Sequence, residues 1–191
     1  MKRAFLIHGW SGTPEHGWFP WLKRELESRG FAVEAPEMPE TDTPRIGTWV
    51  PFLATVVGTA DEETILVGHS MGCQAILRYL ADLSDDQRVG GAYLVAGFLN
   101  HLTNADSDEE RPIAAEWLRT PLDTERAKRA AGRIEAIFSD NDRYVPLENE
   151  VAMRNKLGAK TIILEEMGHF SGDDGVTELP VLLDEILKAQ G

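Results

Sequence analysis

The chain has 191 residues, of which 42% are hydrophobic and 27% are charged. This amount of apolar material suits one compact domain, so we expect a single domain over residues 1–191. Asp and Glu number 32 against 19 Lys and Arg, which gives a formal net charge of −13. A surface this acidic repels phosphate backbones and anionic lipids, so we expect neither a nucleic-acid partner nor membrane binding.

The single cysteine, Cys73, excludes an intramolecular disulfide and a Cys-based zinc site, because both require at least two thiolates. We therefore expect no metal and a reducing, cytoplasmic setting. The first apolar run stops at His8, which makes it too short for a signal-peptide core or a membrane span. The sequence thus predicts no targeting or anchoring segment.

Short apolar runs alternate with longer amphipathic stretches along the chain, a pattern typical of βα units with a parallel sheet covered on both faces. It predicts a three-layer α/β/α sandwich around a mostly parallel six-stranded sheet. In chain order the predicted elements are strand Ala4–Ile7, a helix from Trp18 to Leu26 ended by Gly30, strand Ala32–Ala35, helix Arg45–Val57, strand Thr64–Val67, helix Cys73–Leu83, strand Ala92–Val95, helix Thr124–Ala131, strand Ile134–Phe138, a helix from Pro146 closed by Gly158, strand Thr161–Leu164 and helix Thr177–Ala189.

The least regular stretch is Gly97–Pro121, which contains the acidic sequence NADSDEE and a small apolar group, Ile113, Trp117 and Leu118. An insertion of this kind can act as a lid over a site. It can equally be a surface excursion packed on the edge of the sheet, since only some loops carry function. Both interpretations stay open from the sequence.

A candidate nucleophile lies between a predicted strand and a predicted helix, in Gly68-His69-Ser70-Met71-Gly72. In this context G-x-S-x-G places the serine on a sharp turn, with its hydroxyl above the sheet. The backbone N–H of Met71, at the start of the helix, would then face a developing oxyanion. The alternative is that Ser70 only caps the helix. Cys73 is predicted to be a small buried hydrophobe.

A serine nucleophile needs a base, which is usually a histidine. His169 follows the last predicted strand, at the sheet edge where Ser70 is expected. His69 is a poor candidate, because side chains next to the nucleophile point away from the site. A carboxylate should then orient the base, and the loop after strand Ile134–Phe138 offers Asp140 and Asp142. The residues alone do not separate these two, because either can instead hold the turn or cap the next helix.

Asp173 and Asp174 follow His169, so we expect them to cap the last helix. The first loop, His8-Gly9-Trp10-Ser11-Gly12, offers the Trp10 N–H as the second oxyanion donor. It lacks G-x-G-x-x-G and a Walker lysine, which disfavours a nucleotide phosphate site. Four side chains are candidates for lining a substrate pocket: His8, Trp10, Trp117 and Tyr144.

Four stretches of this sequence resemble the small serine hydrolases related to retinoblastoma-binding protein 9 and YdeN. They are HGWSGTPEHGWFPWLKRELE near the N-terminus, VGHSMG, SDNDRYVP and MGHF. The resemblance implies a compact α/β-hydrolase fold without a large cap domain, acting on small esters or amides and needing no cofactor. It places the family's nucleophile on Ser70, its base on His169 and its acid on Asp142. The L-x-C-x-E motif linked to retinoblastoma-protein binding is absent, so we do not expect that partner.

The sequence therefore predicts a serine hydrolase that cleaves a small-molecule ester or amide through an acyl-enzyme, with a Ser-Asp-His triad. The alternative is a non-catalytic binding or scaffold module on the same fold, because fold does not fix function. Such a module would use an exposed apolar surface. Four tryptophans are candidates for it: Trp10, Trp18, Trp49 and Trp117.

Overall fold

The computed structural model describes residues 1–105 and 107–189. Six strands form one sheet in the order β2-β1-β3-β4-β5-β6, and every neighbouring pair is parallel. The strands are β1 Arg3–Ile7, β2 Ala32–Glu34, β3 Thr64–His69, β4 Gly91–Val95, β5 Ile134–Ser139 and β6 Lys160–Leu164. The helices are α1 Phe19–Glu27, α2 Ile46–Val57, α3 Met71–Asp82, α4 Glu110–Arg119, α5 Thr124–Ala130, α6 Glu148–Leu157 and α7 Pro180–Ala189.

Helices cover both faces of the sheet. Alternate residues of each strand point to opposite faces, so each strand contributes side chains to both cores. In β3, Ile65 and Val67 pack in the core that contains α1 and α7, whereas Leu66 packs in the core beneath α2 to α6. Both cores are built from large apolar side chains with almost no exposure. The predicted three-layer α/β/α sandwich is confirmed, and the sheet is entirely parallel.

All six predicted strands are present, with ends that differ from the prediction by no more than two residues. The main element that the sequence analysis did not predict is the helix α4. Its start lies in the acidic, loop-like part of Gly97–Pro121, but Pro112 falls in the first turn, where a missing N–H is tolerated. Ile113 and Trp117, four residues apart, give the helix its buried face.

Two helices begin two or more residues later than predicted. The last helix starts at Pro180 rather than Thr177, consistent with the preference for proline in a first turn. The helix expected from Pro146 starts at Glu148, and Gly158 closes it with a φ of +63° as predicted. Among the described residues, no helix has the length and apolar character that crossing a bilayer requires.

Candidate active site

Ser70 occupies the sharp turn between β3 and α3, with φ 53° and ψ −116°. A positive φ is uncommon for a residue with a side chain and is held only where the surroundings enforce it. Here the Ser70 N–H donates to the Val95 carbonyl at 2.9 Å, and the Ser70 carbonyl accepts from the Cys73 N–H at 3.0 Å. The strained turn is therefore fixed by its neighbours on both sides.

The two glycines that flank this turn let α3 approach the sheet. A Cβ on Gly72 would lie 2.2 Å from the carbonyl oxygen of Ile7, and one on Gly68 would lie 2.8 Å from the Cys73 nitrogen. Both separations are too short for any side chain, so this close approach requires glycine. The first turn of α3, with the N–H of Met71, is thereby held beside Ser70.

His169 and Asp142 meet at the carboxyl edge of the sheet. The Nδ1 of His169 lies 2.8 Å from Oδ2 and 3.0 Å from Oδ1 of Asp142. The Asp142 Oδ1 also accepts the backbone N–H groups of Tyr144 at 2.8 Å and Val145 at 3.0 Å. Because a carboxylate at Nδ1 holds the ring proton there, it leaves the Nε2 of His169 free to accept a proton.

Side chains also hold the backbone of the loop that carries His169. Four consecutive backbone N–H groups each donate to a side-chain oxygen, three of which belong to the residues directly before Asp142. The pairs are Glu166 N–H to Asp140 (2.8 Å), Met167 N–H to Ser139 (3.0 Å), Gly168 N–H to Asn141 (2.8 Å) and His169 N–H to Asp174 (2.9 Å). Asp142 thus holds the His169 ring, whereas Asp140 holds the loop backbone.

The prediction that Asp174 caps the last helix is wrong. The helix α7 begins six residues later, and the Asp174 carboxylate accepts the His169 N–H and, at 2.6 Å, the Ser171 hydroxyl. Burial alone would raise the pKa of Asp174, but hydrogen bonds from Ser171 and His169 hold it below its ordinary value. Sequence reasoning missed Asp174, Ser139 and Asn141 as loop-holding residues, although the run of acceptor side chains before Asp142 was a usable signal.

The first loop lies against Ser70. A Cβ on Gly9 would be only 3.0 Å from the Cβ of Ser70. The Gly9 carbonyl accepts from His8 Nδ1 at 2.8 Å and from the Gly12 N–H at 3.1 Å, which fixes the peptide plane that it shares with the Trp10 N–H. Within the described part of the chain, that N–H has no acceptor. The two predicted oxyanion donors, Trp10 and Met71, thus belong to segments next to Ser70.

The four proposed pocket-lining side chains divide into two pairs. The Tyr144 ring lies 5.1 Å from the His169 ring, centroid to centroid, and is only partly buried. Trp10 is also partly buried, and its indole N–H donates to the Asp42 carbonyl at 3.0 Å. These two side chains remain candidates for substrate contact.

His8 and Trp117, in contrast, do not face an open pocket. His8 is 2% exposed, and its Nε2 accepts the Met38 N–H at 3.0 Å, so both ring nitrogens contact backbone. Burial lowers the pKa of His8. Trp117 is 1% exposed and donates its indole N–H to the Pro44 carbonyl at 3.0 Å. Both side chains therefore pack in the interior of the protein.

Of the four tryptophans proposed for a binding surface, Trp10 is the one that stays partly exposed. Trp18 and Trp49, like Trp117, are buried in the two cores. Residues 103 and 104 of the predicted insertion lie against the loop that carries Asp142, because the Thr103 and Asn104 side chains each donate to the Arg143 carbonyl at 2.6 Å.

Comparison with known proteins identifies relatives that match nearly the whole chain. The sequence model of the serine hydrolase family matches residues 4–188. YdeN of Bacillus subtilis is 32% identical over 183 residues, which cover 96% of this chain and 93% of YdeN. The serine hydrolase RBBP9 of Rattus norvegicus is 29% identical over 175 residues, covering 90% of this chain and 89% of RBBP9.

Solved structures agree with the sequence comparisons. The crystal structure of the ydeN gene product from B. subtilis superimposes with a TM-score of 0.88 at 30% identity and covers 99% of this chain and 98% of that one. Est1E from Butyrivibrio proteoclasticus with bound ferulic acid shares the fold, with a TM-score of 0.77, 14% identity and coverage of 99% and 89%. Since the family match runs from the first strand into the last helix and agrees with the sheet order and the turn at Ser70, this chain belongs to the serine hydrolase family of the α/β-hydrolase superfamily and is an enzyme.

Proposed function

We propose that this enzyme hydrolyses a small ester or amide through an acyl-enzyme on Ser70, with His169 as the base and Asp142 as its orienting acid. The contact of both Asp142 oxygens with the Nδ1 of His169 is the observation that carries the proposal. The side-chain exposures of 12% for His169 and 2% for Asp142 suit a base that meets substrate and an acid that does not.

The reaction follows the chemistry of these groups. The Nε2 of His169 accepts the Ser70 hydroxyl proton as Oγ bonds to the substrate carbonyl carbon, and the carbonyl π electrons move to oxygen. The N–H groups of Met71 and Trp10 stabilise that oxyanion. When the carbonyl re-forms, the bond to the leaving group breaks and the leaving group takes the proton from His169. A water molecule, deprotonated by His169, then bonds to the acyl carbon. The bond from that carbon to the Ser70 Oγ breaks, Oγ takes the proton back from His169, and the acid is released.

The remaining expectations are part of this proposal. A single domain fits one sheet that contains every described strand and is covered on both faces. A reducing, cytoplasmic setting fits Cys73, a free thiol that lies buried in the core and whose pKa is raised by burial. The partly buried Tyr144 and Trp10 side chains would contact the substrate.

A fluorophosphonate probe tests the proposal, because it reacts only with an activated serine. We expect the wild-type protein to be labelled, and Ser70→Ala and His169→Ala not to be labelled at matched concentration. The exposed serine in the loop after α3 supplies a control, since Ser84→Ala should react like the wild type. Unchanged labelling of a folded Ser70→Ala protein, or a folded wild type that stays unlabelled, would contradict the assignment.

A further inference from the structure

His69, the residue before the proposed nucleophile, contacts the loop that carries the proposed base. Its Nε2 lies 2.7 Å from the backbone carbonyl oxygen of His169. A carbonyl oxygen can only accept a hydrogen bond, so the proton of the neutral His69 ring resides on Nε2. The two imidazole rings are 4.9 Å apart, centroid to centroid.

The other side of the His69 ring faces the first loop. A Cβ on Gly9 would lie 3.4 Å from the Nδ1 of His69, so the ring fills the space that Gly9 leaves. Trp18 meets the ring edge-on, with centroids 6.1 Å apart. One side chain therefore lies beside the loop of the proposed oxyanion donor and contacts the loop of the proposed base.

The sheet order explains why such a contact is useful. Ser70 follows β3 and His169 follows β6, and the strands β4 and β5 separate them. The β6 loop must therefore cross over two strand ends to bring its histidine to Ser70. Its backbone N–H groups are held from the β5 side and by Asp174, as described above, so the His69 contact is the one that comes from the nucleophile's own strand.

The geometry points to His69 as a positioning residue. By donating a hydrogen bond to the His169 carbonyl, it keeps the His169 loop close enough for the His169 ring to reach Ser70. This inference rests on the proposed function. The charge state of the ring agrees with the role: burial first, and then the nearby His169, lower the pKa of His69 to about 3. Asp142 and His8 are the other titratable groups near it. His69 therefore stays a neutral donor while His169 gains and loses its proton.

A pair of substitutions tests the hydrogen bond. His69→Leu removes the donor at similar volume, whereas the amide of His69→Gln places an N–H near the original Nε2. Because a misplacement of about 1 Å can cost about 10²-fold in rate, we expect kcat of His69→Leu to fall about 10- to 100-fold with KM nearly unchanged. His69→Gln should recover most of the loss. The exposed His101 gives the matched control, and His101→Leu should leave kcat and KM unchanged.

The rates are measured with 4-nitrophenyl acetate and by fluorophosphonate labelling, well below each variant's unfolding temperature. A folded His69→Leu protein with wild-type kcat, or a His69→Gln protein as impaired as His69→Leu, would overturn the inference. If His69→Leu fails to fold, nitrogen-15 NMR of the wild type gives the second test. It should show the His69 proton on Nε2 between pH 5 and pH 8, and a proton on Nδ1 instead would refute the role.

These outcomes are separable from failure of the proposed function. If the wild-type protein is not labelled, or if Ser70→Ala is labelled as well, the proposed chemistry fails whatever His69 does. If the wild type is labelled and His69→Leu is labelled at the same rate, only the role of His69 fails.

Discussion

Asp142 places both carboxylate oxygens within 3.0 Å of the Nδ1 of His169, whereas Asp140, two residues earlier, directs its carboxylate to the backbone N–H of Glu166. Two acids on one loop therefore hold the same neighbouring loop at different points. One fixes the tautomer and orientation of the imidazole, and the other fixes the path of the chain that leads to it. This division of roles gives a matched pair of substitutions.

Replacing Asp142 by asparagine should lower kcat by about 10³- to 10⁴-fold, because an amide at Nδ1 allows the wrong tautomer of His169 and does not stabilise the imidazolium. Asp140→Asn keeps an acceptor for the Glu166 N–H and should change kcat by less than about threefold. Steady-state kinetics on an activated ester, with circular dichroism to verify folding, measures both. Equal losses in the two variants would mean that Asp142 has no special part in the chemistry.

Replacing Asp174 by alanine should lower kcat and stability more than replacing its neighbour Asp173. Asp174→Ala removes the acceptor for the His169 N–H and the Ser171 hydroxyl, and one hydrogen bond of this kind contributes about 0.5–1.5 kcal/mol net. We expect a fall of about tenfold in kcat and a lower urea midpoint. Asp173 accepts neither of these hydrogen bonds, so Asp173→Ala should leave both quantities near the wild-type values. If the two alanine variants behave alike, the Asp174 carboxylate does not hold the base loop.

A substitution at Gly72 should separate the nucleophile turn from the sheet. The alanine Cβ would lie 2.2 Å from the Ile7 carbonyl oxygen, so α3 would have to shift at a cost of about 3 kcal/mol. Fluorophosphonate labelling should be lost with it, since the Met71 N–H moves too. Gly47, in α2, has no atom near the corresponding position, and Gly47→Ala should stabilise the protein by up to about 1 kcal/mol. Urea unfolding of the two variants decides this, and a fully stable Gly72→Ala protein would argue against the tight approach.

Acid should destabilise the protein partly through His69. Its pKa is lowered from 6.5 to about 3 in the folded state, chiefly by burial, so between these values the unfolded chain binds a proton that the folded chain does not. This contribution to stability is fully present above pH 6.5 and is lost as the pH falls, by up to about 1.4 kcal/mol per pH unit. Urea unfolding between pH 6.5 and pH 4.5 should show a shallower pH dependence in His69→Gln, and identical slopes would contradict this account.

Strands were the most predictable part of the fold. A parallel strand with helices on both faces is apolar on both sides, so β3 and β4 appear in the sequence as continuous apolar runs. The turn at Ser70 was equally predictable, because Gly68 and Gly72 mark a close approach of α3 to the sheet that only glycine allows. Local chemistry of this kind is encoded within a few residues and needs no knowledge of distant partners.

Contacts between residues far apart in the sequence were not predictable from the residues themselves. Asp140 and Asp142 have the same chemistry and lie on the same loop, so only the resemblance to known hydrolases favoured Asp142. His8 follows a strand at the site edge, yet its ring turns to the backbone of Met38. The single-domain organisation, the cytoplasmic setting and the role of each triad residue stay predictions, which the labelling and kinetic experiments address in part.

The sheet order has a consequence for refolding. The loops that carry Ser70, Asp142 and His169 follow β3, β5 and β6, so the site is complete only when the last strand has docked at the edge of the sheet. Non-local parallel pairings of this kind form slowly, because a long loop must close before each contact is gained. Helical signal should consequently return before turnover after dilution from urea. Recovered activity is thus a stricter measure of native structure for this protein than recovered secondary structure.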